Sequence, residues 1–501
     1  MDLIHNLGIG FDVAFTFSNL LYCLIGVLLG TLIGVLPGIG PVATIAMLLP
    51  ATFTLPPVSA LIMLAGIYYG AQYGGSTTAI LVNIPGESSS VVTALDGYQM
   101  ARQGKAGTAL AIAALGSFFA GCVATFLLAA AAPPLAQLAF KFGPAEYFSL
   151  MVLGLIAAVV LAHGSVLKAV AMIVLGLVLG LVGTDVNSGM ARYSFNVPEL
   201  IDGLNFVCVA MGMFGFAEVI KNLEDTGERQ VFTKEVHNLM PSAAELKQAT
   251  PAILRGTALG SLLGILPGGG AVLASFSAYT LEKKIAKDPS RFGKGAIEGV
   301  AAPEAANNAA AQTSFIPLLT LGIPPNPVMA MMVGAMIIQG IQPGPQVMSE
   351  RPELFWGMIV SMWIGNLMLV ILNLPLIGMW VKLLRVPYRL LYPAILVFCC
   401  IGVYSLSNNP VDVYLTAFFG LLGYVLVKLD CEPAPLLLGF ILGPMMEENL
   451  RRAMLLSRGD PMTFLNRPLS ATLLGISLLL LLLILAPAIR KKREEAFQEA
   501  D

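Results

Sequence analysis

The chain contains the stretch Gly34-Val35-Leu36-Pro37-Gly38-Ile39-Gly40 and repeats it near its middle as Gly264-Ile265-Leu266-Pro267-Gly268-Gly269-Gly270. A second pair follows in the same order, Asn83-Ile84-Pro85-Gly86-Glu87 and Gly322-Ile323-Pro324-Pro325-Asn326. The chain therefore consists of two related halves. Apolar segments that Gly and Pro break at matching places in both halves are typical of a transporter whose site lies between its repeats.

The composition places the chain in a membrane. Hydrophobic residues make up 57% of it and charged residues 12%, with a mean hydropathy of +0.81, whereas soluble domains carry about 25% charged residues. Apolar runs suited to membrane helices recur, for example Thr108–Ala132, Val166–Val182 and Leu469–Ala486. The first 12 residues lack Lys and Arg, so we expect a retained helix there and not a secretory signal.

The residues of common catalytic sites are missing from the sequence. The six cysteines lack CxxC spacing, the three histidines are scattered, and neither glycine-rich stretch continues into the Lys-Ser/Thr of a P-loop. A membrane-embedded enzyme, the alternative from another class, would need such a set. An export channel would need polar faces along several continuous helices. The sequence therefore predicts a carrier without a cofactor, driven by an ion gradient or a partner.

Lys and Arg mark the cytoplasmic side of membrane proteins. In the two halves of this chain they are concentrated in loops that are not equivalent. The loop Asp96–Gly107 holds Arg102 and Lys105, whereas its second-half counterpart, Gly340–Glu353, holds only Arg351. Thr52–Pro57 is uncharged, and its counterpart holds Lys283, Lys284, Lys287, Arg291 and Lys294. Equivalent loops are therefore expected on opposite sides, which predicts an inverted-topology repeat.

Most of the remaining charges fit this orientation. The link Lys221–Thr250 and the basic run Arg490–Arg493 fall on the cytoplasmic side. Four arginines do not fit it, since they would lie outside: Arg451, Arg452, Arg458 and Arg467. Their charge is partly offset by Glu447, Glu448 and Asp460.

These patterns predict an all-α polytopic membrane protein with re-entrant helical hairpins, broken helices and about 10–12 membrane segments. We expect it to be an elevator-like secondary transporter built from two inverted-topology repeats. The expected division is a first repeat at 1–220, a cytoplasmic linker at 221–250, a second repeat at 251–455, and an extra C-terminal helix with a cytoplasmic tail at 456–501.

Each LPGxG turn joins a long apolar arm to a shorter one, so we expect a hairpin whose tip, Pro37–Gly40 or Pro267–Gly270, ends inside the membrane. Glycine allows positive φ and close backbone approach, and the free N–H groups that open the following helix attract carboxylates. A single glycine more often serves close helix packing. The paired Pro-Gly-x-Gly favours a ligand site.

A polar interruption follows in each half. Gly74–Thr78 leads into Asn83–Ser90, and Asn307–Ser314 leads into Gly322–Pro327. Because proline cannot continue a helix cleanly, we expect freed carbonyls that, with Ser, Thr and Asn oxygens, suit Na⁺, while hydroxyl and amide donors suit a carboxylate. A single Ser or Thr more often bonds a helix carbonyl, so the cluster carries the prediction.

The predicted substrate-binding residues are Gly38, Gly40, Ser76, Thr77, Thr78, Gly268, Gly269, Asn307, Asn308, Thr313 and Ser314. The predicted Na⁺ ligands are Leu36, Thr77, Asn83, Leu266, Thr313 and Asn326. No Lys or Arg occurs from Gly34 to Ser90 or from Gly295 to Ser349, so helix N-termini, hydroxyls and bound cations must balance an anionic substrate. The intramembrane acids Glu87, Glu218, Glu298, Glu304 and Glu447 are functional candidates, although Glu87 and Glu304, beside prolines, are equally suited to capping helices.

The motifs Gly30-x₃-Gly34 through Gly40, Tyr69–Thr78, Asn83–Gly86 and Pro303-Glu304-x₂-Asn307-Asn308 resemble those of TctA-like permeases, the large membrane subunits of tripartite tricarboxylate transporters. The resemblance covers residues 15–455. It implies a multi-pass protein of the bacterial inner membrane that works with a small membrane subunit (TctB-like) and a periplasmic solute-binding protein (TctC-like). It also implies import of citrate-like or related carboxylates coupled to Na⁺ or, as the alternative, to protons.

We expect single cysteines at Thr54 and Lys284 to react from opposite faces of the membrane, because the charge pattern places these equivalent loops on opposite sides. In a background without the six native cysteines, an impermeant maleimide should label Thr54→Cys in intact cells. Lys284→Cys should react only after the cells are permeabilised. Labelling of both from the same face would contradict an inverted repeat.

Overall fold

The computed structural model describes residues 3–36, 40–161, 165–185, 188–224, 239–266, 270–383 and 388–485. Over these ranges the chain is almost entirely helical. One short antiparallel ladder pairs β1 (Gly183–Thr184) with β2 (Ala191–Arg192). The predicted all-α class is confirmed.

The helices of the first half are α1 Leu3–Ala14, α2 Phe17–Val35, α3 Pro41–Thr52, α4 Pro57–Val82, α5 Val91–Arg102, α6 Ala106–Ala139, α7 Pro144–Leu161, α8 Val166–Gly180, α9 Phe206–Ala210 and α10 Ala217–Glu224. A π-helical segment, Met211–Phe216, joins α9 to α10, and short 3₁₀ turns lie at Ser88–Ser90 and Pro198–Leu200.

The helices of the second half are α11 Ala243–Ile265, α12 Gly270–Ile285, α13 Glu298–Thr313, α14 Phe315–Leu321, α15 Pro327–Ile338, α16 Gln346–Glu350, α17 Pro352–Asn373, α18 Ile377–Leu383, α19 Tyr388–Ser407, α20 Pro410–Lys428, α21 Pro433–Leu456, α22 Thr463–Asn466 and α23 Pro468–Leu485. A 3₁₀ turn lies at Pro289–Arg291. Within the described ranges, four helices are long and apolar enough to cross a membrane, namely α2, α6, α17 and α20.

The helix α11 begins inside the stretch predicted as a linker. Ser242 caps it, since its hydroxyl accepts the Glu245 N–H at 3.3 Å while the Glu245 carboxylate accepts the Ser242 N–H at 2.9 Å. These bonds from the Ser242 backbone and hydroxyl hold the pKa of the Glu245 carboxyl below its usual value. The end of the predicted linker, from Ala243 to Thr250, is therefore helical.

A glycine-lined seam joins α2 to α4. A Cβ on Gly30 would lie 2.5 Å from the Ile67 carbonyl oxygen, and one on Gly34 would lie 2.4 Å from that of Ala71. Only hydrogen fits at such distances, so the two backbones touch directly. Both helices owe their close packing to glycines spaced four residues apart.

The second half repeats this seam between α11 and α13. A Cβ on Gly256 would lie 2.4 Å from the Ala302 carbonyl oxygen, and one on Gly260 would lie 2.2 Å from that of Ala306. Here alanines replace the glycines of the facing helix. The glycine two residues before each LPGxG motif, Gly34 or Gly264, therefore serves helix packing.

The backbone adopts the same conformation at both Ile-Pro interruptions. Asn83 ends α4 with φ 59°, and Gly322 ends α14 with φ 73°, both left-handed. Four residues later Glu87 has φ −149° and ψ 162°, and Asn326 has φ −150° and ψ 168°. The paired sequences thus adopt paired conformations.

The hairpin base of each half contacts the other half. Gln339 Nε2 donates to the Thr52 carbonyl oxygen at 2.8 Å, and Gln103 Nε2 donates to that of Lys294 at 2.8 Å. The buried Asp96 carboxylate of α5 accepts the N–H groups of Gly295 and Ala296, both at 2.7 Å. Hydrogen bonds therefore join α5 to the segment that follows the second hairpin.

Three of the four arginines that did not fit the charge pattern form ion pairs. Arg451 contacts Asp185 at 3.0 Å and also contacts Glu447, while Arg467 contacts Glu146 at 2.8 Å. Arg452 pairs with Glu448. The expected offset by acidic residues is present at these positions.

We expect Gly260→Ala to lower the thermal stability of the detergent-solubilised protein strongly, because the new Cβ would meet the Ala306 backbone and force α11 and α13 apart. Forced overpacking costs about 1–3 kcal/mol or more. The matched control is Gly475→Ala in α23, where a Cβ meets nothing within 4 Å. Fluorescence-detected gel filtration after heating measures both, and an equal melting shift in the two variants would contradict the seam.

Candidate functional site

The first polar segment is buried in the second half of α4. Ser76, Thr77 and Thr78 are between 0 and 4% exposed. Thr78 Oγ1 donates to the Val35 carbonyl oxygen at 2.9 Å, which ties α4 to the end of α2. Thr77 Oγ1 bonds the Tyr73 carbonyl of its own helix at 3.3 Å. Thr78 thus holds the hairpin arm, and Ser76 reaches across to the other half.

The second polar segment is buried at the end of α13 and the start of α14. Thr313 and Ser314 donate to helix carbonyls, those of Ala309 at 3.1 Å and Ala311 at 2.7 Å. Asn308 Nδ2 donates to Ser117 Oγ of α6 at 2.7 Å. The segment is therefore joined to α6 through Asn308.

The two segments meet at Glu304, which is 0% exposed. Its Oε1 lies 2.5 Å from Thr93 Oγ1 of α5, and its Oε2 contacts Ser76 Oγ of α4. Glu304 lies in the interior of α13, so the capping alternative does not apply to it. The carboxyl group of one half is thus held by hydroxyls of the other.

Glu87 lies at the end of the first Ile-Pro interruption. It immediately precedes the 3₁₀ turn at Ser88–Ser90, and its carboxylate contacts Ser89 Oγ. Ser89 Oγ also lies 2.7 Å from Gln72 Oε1 of α4. Glu87 therefore occupies the N-cap position of this turn, but its side chain makes no capping hydrogen bond.

A small pocket adjoins Glu304 between α4, α6 and α17. Ser76, Ser117 and Asn373 provide its polar lining, and its remaining walls are Tyr73, Thr77, Leu110, Ala113 and Ala114. Ser76 also contacts the Glu304 carboxyl group, and Ser117 also donates to the Glu304 backbone carbonyl oxygen. A ligand in the pocket would therefore lie one hydroxyl away from the carboxyl group.

The predicted cation ligands are spread over several elements. Leu36 is buried at the end of α2, whereas Leu266 is 48% exposed and Asn83 is exposed. Asn326 caps α15, its Oδ1 accepting the Met329 N–H at 2.9 Å. Thr77 and Thr313 bond carbonyls of their own helices.

The hairpin tips lie partly outside the described residues. Gly38, Gly268 and Gly269 fall there. Gly40 precedes α3, and a Cβ on it would meet nothing within 4 Å, so no described neighbour requires glycine at that position. Gly270 opens α12 with φ 51°, the left-handed conformation that favours glycine.

The model of the tripartite tricarboxylate transporter TctA family matches residues 20–438. The chain belongs to the TctA family. Such a match makes it a permease of the tripartite tricarboxylate transporter type, a multi-pass transporter.

Two relatives of this TctA-family permease come from Agrobacterium vitis. A "52.8 kDa protein in TAR-I ttuC' 3'region" is 64% identical over 501 residues, covering 100% of both chains. A "protein in TAR-II ttuC' 3'region" is 65% identical over 242 residues, which are 48% of this chain and 100% of the relative. No solved structure matches the chain.

The permease buries several amide atoms that lack a hydrogen-bond partner among the described residues. They are Asn307 Nδ2, Asn308 Oδ1, Asn326 Nδ2, Asn373 Oδ1 and both side-chain atoms of Gln312. Leaving such atoms unpaired costs about 1–3 kcal/mol each. Of these residues Asn373 lines the small pocket, so a ligand with a donor group there would satisfy its Oδ1.

The sequence did not single out every residue of this centre. Thr93 and Ser117 are single hydroxyls in helices outside the repeated motifs, so no sequence pattern distinguishes them from residues that bond helix carbonyls. Asn373 lies at the end of an apolar helix. Gln312 stood inside the polar interruption, and its lack of a partner is visible only in three dimensions.

We expect Gln312→Met to keep or raise thermal stability while lowering carboxylate uptake at least several-fold. An apolar side chain of similar length removes two unpaired amide atoms, which stabilises the fold, but it also removes polar groups for a ligand. Asn366→Leu is the control, because Asn366 Nδ2 is paired with the Met362 carbonyl at 2.8 Å. That variant should lose stability. A destabilised Gln312→Met with normal uptake per folded molecule would contradict the assignment.

Proposed function

We propose that this TctA-family permease imports tricarboxylates or related carboxylates across the bacterial inner membrane by cation symport, with Na⁺ as the coupling ion. The observation that carries the proposal is a buried polar centre, shared by both halves, in stretches without Lys or Arg. A permease that moves anions through such a centre needs another source of positive charge.

Helix N-termini provide only part of that charge. Each is equivalent to roughly +0.5 of an elementary charge, whereas a di- or tricarboxylate brings two or three negative charges. Burying even one unpaired carboxylate costs several kcal/mol. Cations that enter with the substrate balance the remainder, and this balance is the physical basis for symport.

We propose that the two halves are inverted repeats. The contacts between their loops support this arrangement: Thr52, in the base of the first hairpin, bonds Gln339, and Lys294, after the second hairpin, bonds Gln103. Each hairpin base therefore meets the loop that follows the broken helix of the other half. Two copies related by an axis in the membrane plane produce this exchange.

The substrate reaches the permease from partners in this proposal. The TctA family implies a small membrane subunit and a periplasmic solute-binding protein. Among the described residues, helices account for nearly all of the chain and no large domain lies outside them. Capture of dilute solute by a separate receptor fits that architecture.

The experiment reconstitutes the permease with its small subunit in liposomes and adds its binding protein with labelled citrate or other carboxylates. Uptake should require the binding protein, saturate with its concentration, and rise with external Na⁺. Robust uptake by the permease alone would refute the dependence on the receptor. Uptake that ignores both Na⁺ and pH gradients would refute symport.

Thr313→Val tests the cation site in the same assay. It should raise the Na⁺ concentration for half-maximal uptake several-fold, because it removes an oxygen beside the second hairpin arm. Thr257→Val is the matched control, a buried threonine that likewise bonds the carbonyl four residues earlier, at 2.7 Å. Equal Na⁺ dependence in both variants would exclude Thr313 as a ligand.

A further inference from the structure

The Ser76 hydroxyl contacts two acceptors but has one hydrogen. Its Oγ lies 2.9 Å from the Gln72 carbonyl oxygen and also contacts Glu304 Oε2. If Glu304 were ionised, both neighbours would be acceptors only. One of the two oxygen pairs would then lack a hydrogen between its atoms.

A proton on Glu304 completes this network. Glu304 Oε2–H then donates to Ser76 Oγ, and Ser76 donates to the Gln72 carbonyl. Thr93 Oγ1, at 2.5 Å, donates to Glu304 Oε1. Every hydroxyl hydrogen has an acceptor, and no oxygen pair lacks a hydrogen.

Counting hydrogens and acceptors in the same way at Glu87 does not require a bound proton. Ser89 Oγ also contacts two oxygens, Glu87 Oε1 and Gln72 Oε1. Exchanging the oxygen and nitrogen of the Gln72 amide resolves that conflict, since Nε2 then donates to Ser89. A backbone carbonyl cannot be exchanged in this way, so the count singles out Glu304.

Among the described residues, no positively charged group faces Glu304. The titratable groups that face it are Tyr73 of α4 and Glu87. A buried carboxyl group without a cation is neutralised by binding a proton.

The charged groups on the other neighbouring helices are engaged elsewhere. Asp96 of α5 accepts from Tyr279, Gly295 and Ala296. Arg255 of α11 pairs with Glu282 of α12 at 2.6 Å. No ion pair of Glu304 occurs among the described residues.

We propose that Glu304 carries a proton in this conformation and that this proton is a second coupling ion, which enters with the carboxylate. The inference rests on the import function proposed above. In the inward-open state the O–H bond of Glu304 breaks, the proton passes to cytoplasmic water, and a carboxylate remains. It is protonated again from the periplasmic side before the next cycle.

The proton can reach the small pocket through the hydroxyl groups that adjoin it. Ser76 contacts the Glu304 carboxyl group and lines the pocket with Ser117 and Asn373. Ala302 and Ala306 of α13 face glycines of α11 in the same way as Met63 and Ile67 of α4 face glycines of α2. Glu304, between the two alanines, therefore corresponds to Ala65 of the first half. The first half therefore has no counterpart of the Glu304 carboxyl group, and we expect this group to carry one proton per cycle.

Infrared difference spectroscopy on the purified, full-length permease tests for the bound proton without any substrate. At neutral pH the wild type should show the carbonyl stretch of a protonated carboxyl group, shifted in D₂O, and Glu304→Gln should lose it. Glutamine reproduces the neutral form, so the variant should fold. Glu298→Gln on the same helix is the control, because Glu298 pairs with Arg291 at 2.9 Å, and the band should persist there. An unchanged band in Glu304→Gln would overturn the proposal.

Transport by the reconstituted complex tests whether the proton moves. With citrate as the probe, an inward proton gradient should stimulate wild-type and Glu298→Gln uptake but not Glu304→Gln uptake, while exchange of internal for external citrate persists in all three. Stimulation of Glu304→Gln, or loss of exchange in that variant, would overturn the proposal. If the wild type moves no carboxylate, the import function fails, whereas the infrared band still decides whether Glu304 holds a proton.

Discussion

Direct backbone contact along two glycine seams is the constraint on which the rest of the structure depends. Where Gly30 and Gly34 face α4, and Gly256 and Gly260 face α13, the helices approach until only hydrogen separates them. This contact fixes the depth at which each hairpin arm ends. It therefore also fixes which turns of α4 and α13 lie beside the hairpins, and these turns carry the polar side chains.

The polar centre follows from that placement. Once α4 and α13 are held by their own hairpins, the hydroxyl of Ser76 and the carboxyl group of Glu304 meet across the boundary between the halves. Asn308 reaches α6 at the same level. No Lys or Arg contributes, so hydroxyls, amides and mobile cations must handle every charge that passes. The proposal that anions and cations move together rests on this lack of fixed positive charge.

Much of this could be predicted from the sequence because it lies in repeated, periodic patterns. The membrane class, the two halves and the polar interruptions all follow from apolar runs and from paired Gly and Pro residues. The sequence did not show which acidic residue lies in the polar centre. Glu304 and Glu87 are both beside prolines, and only the three-dimensional contacts show that Glu304 lies inside a helix against the other half. Thr93 and Ser117 give no signal, since a lone hydroxyl in an apolar helix normally bonds its own backbone.

The two Ile-Pro interruptions share a shape, yet they are not interchangeable parts. The left-handed position is Asn83 in one copy and Gly322 in the other, and a Cβ at Gly322 would lie 2.6 Å from the Pro343 carbonyl oxygen. Gly86, in turn, faces the Gly34 carbonyl so closely that its counterpart, Pro325, could not replace it. A chimera with either motif grafted into the other half would clash. Each copy has thus become specialised for its own neighbours, and neither half could be rebuilt as a symmetric homodimer without redesigning these turns.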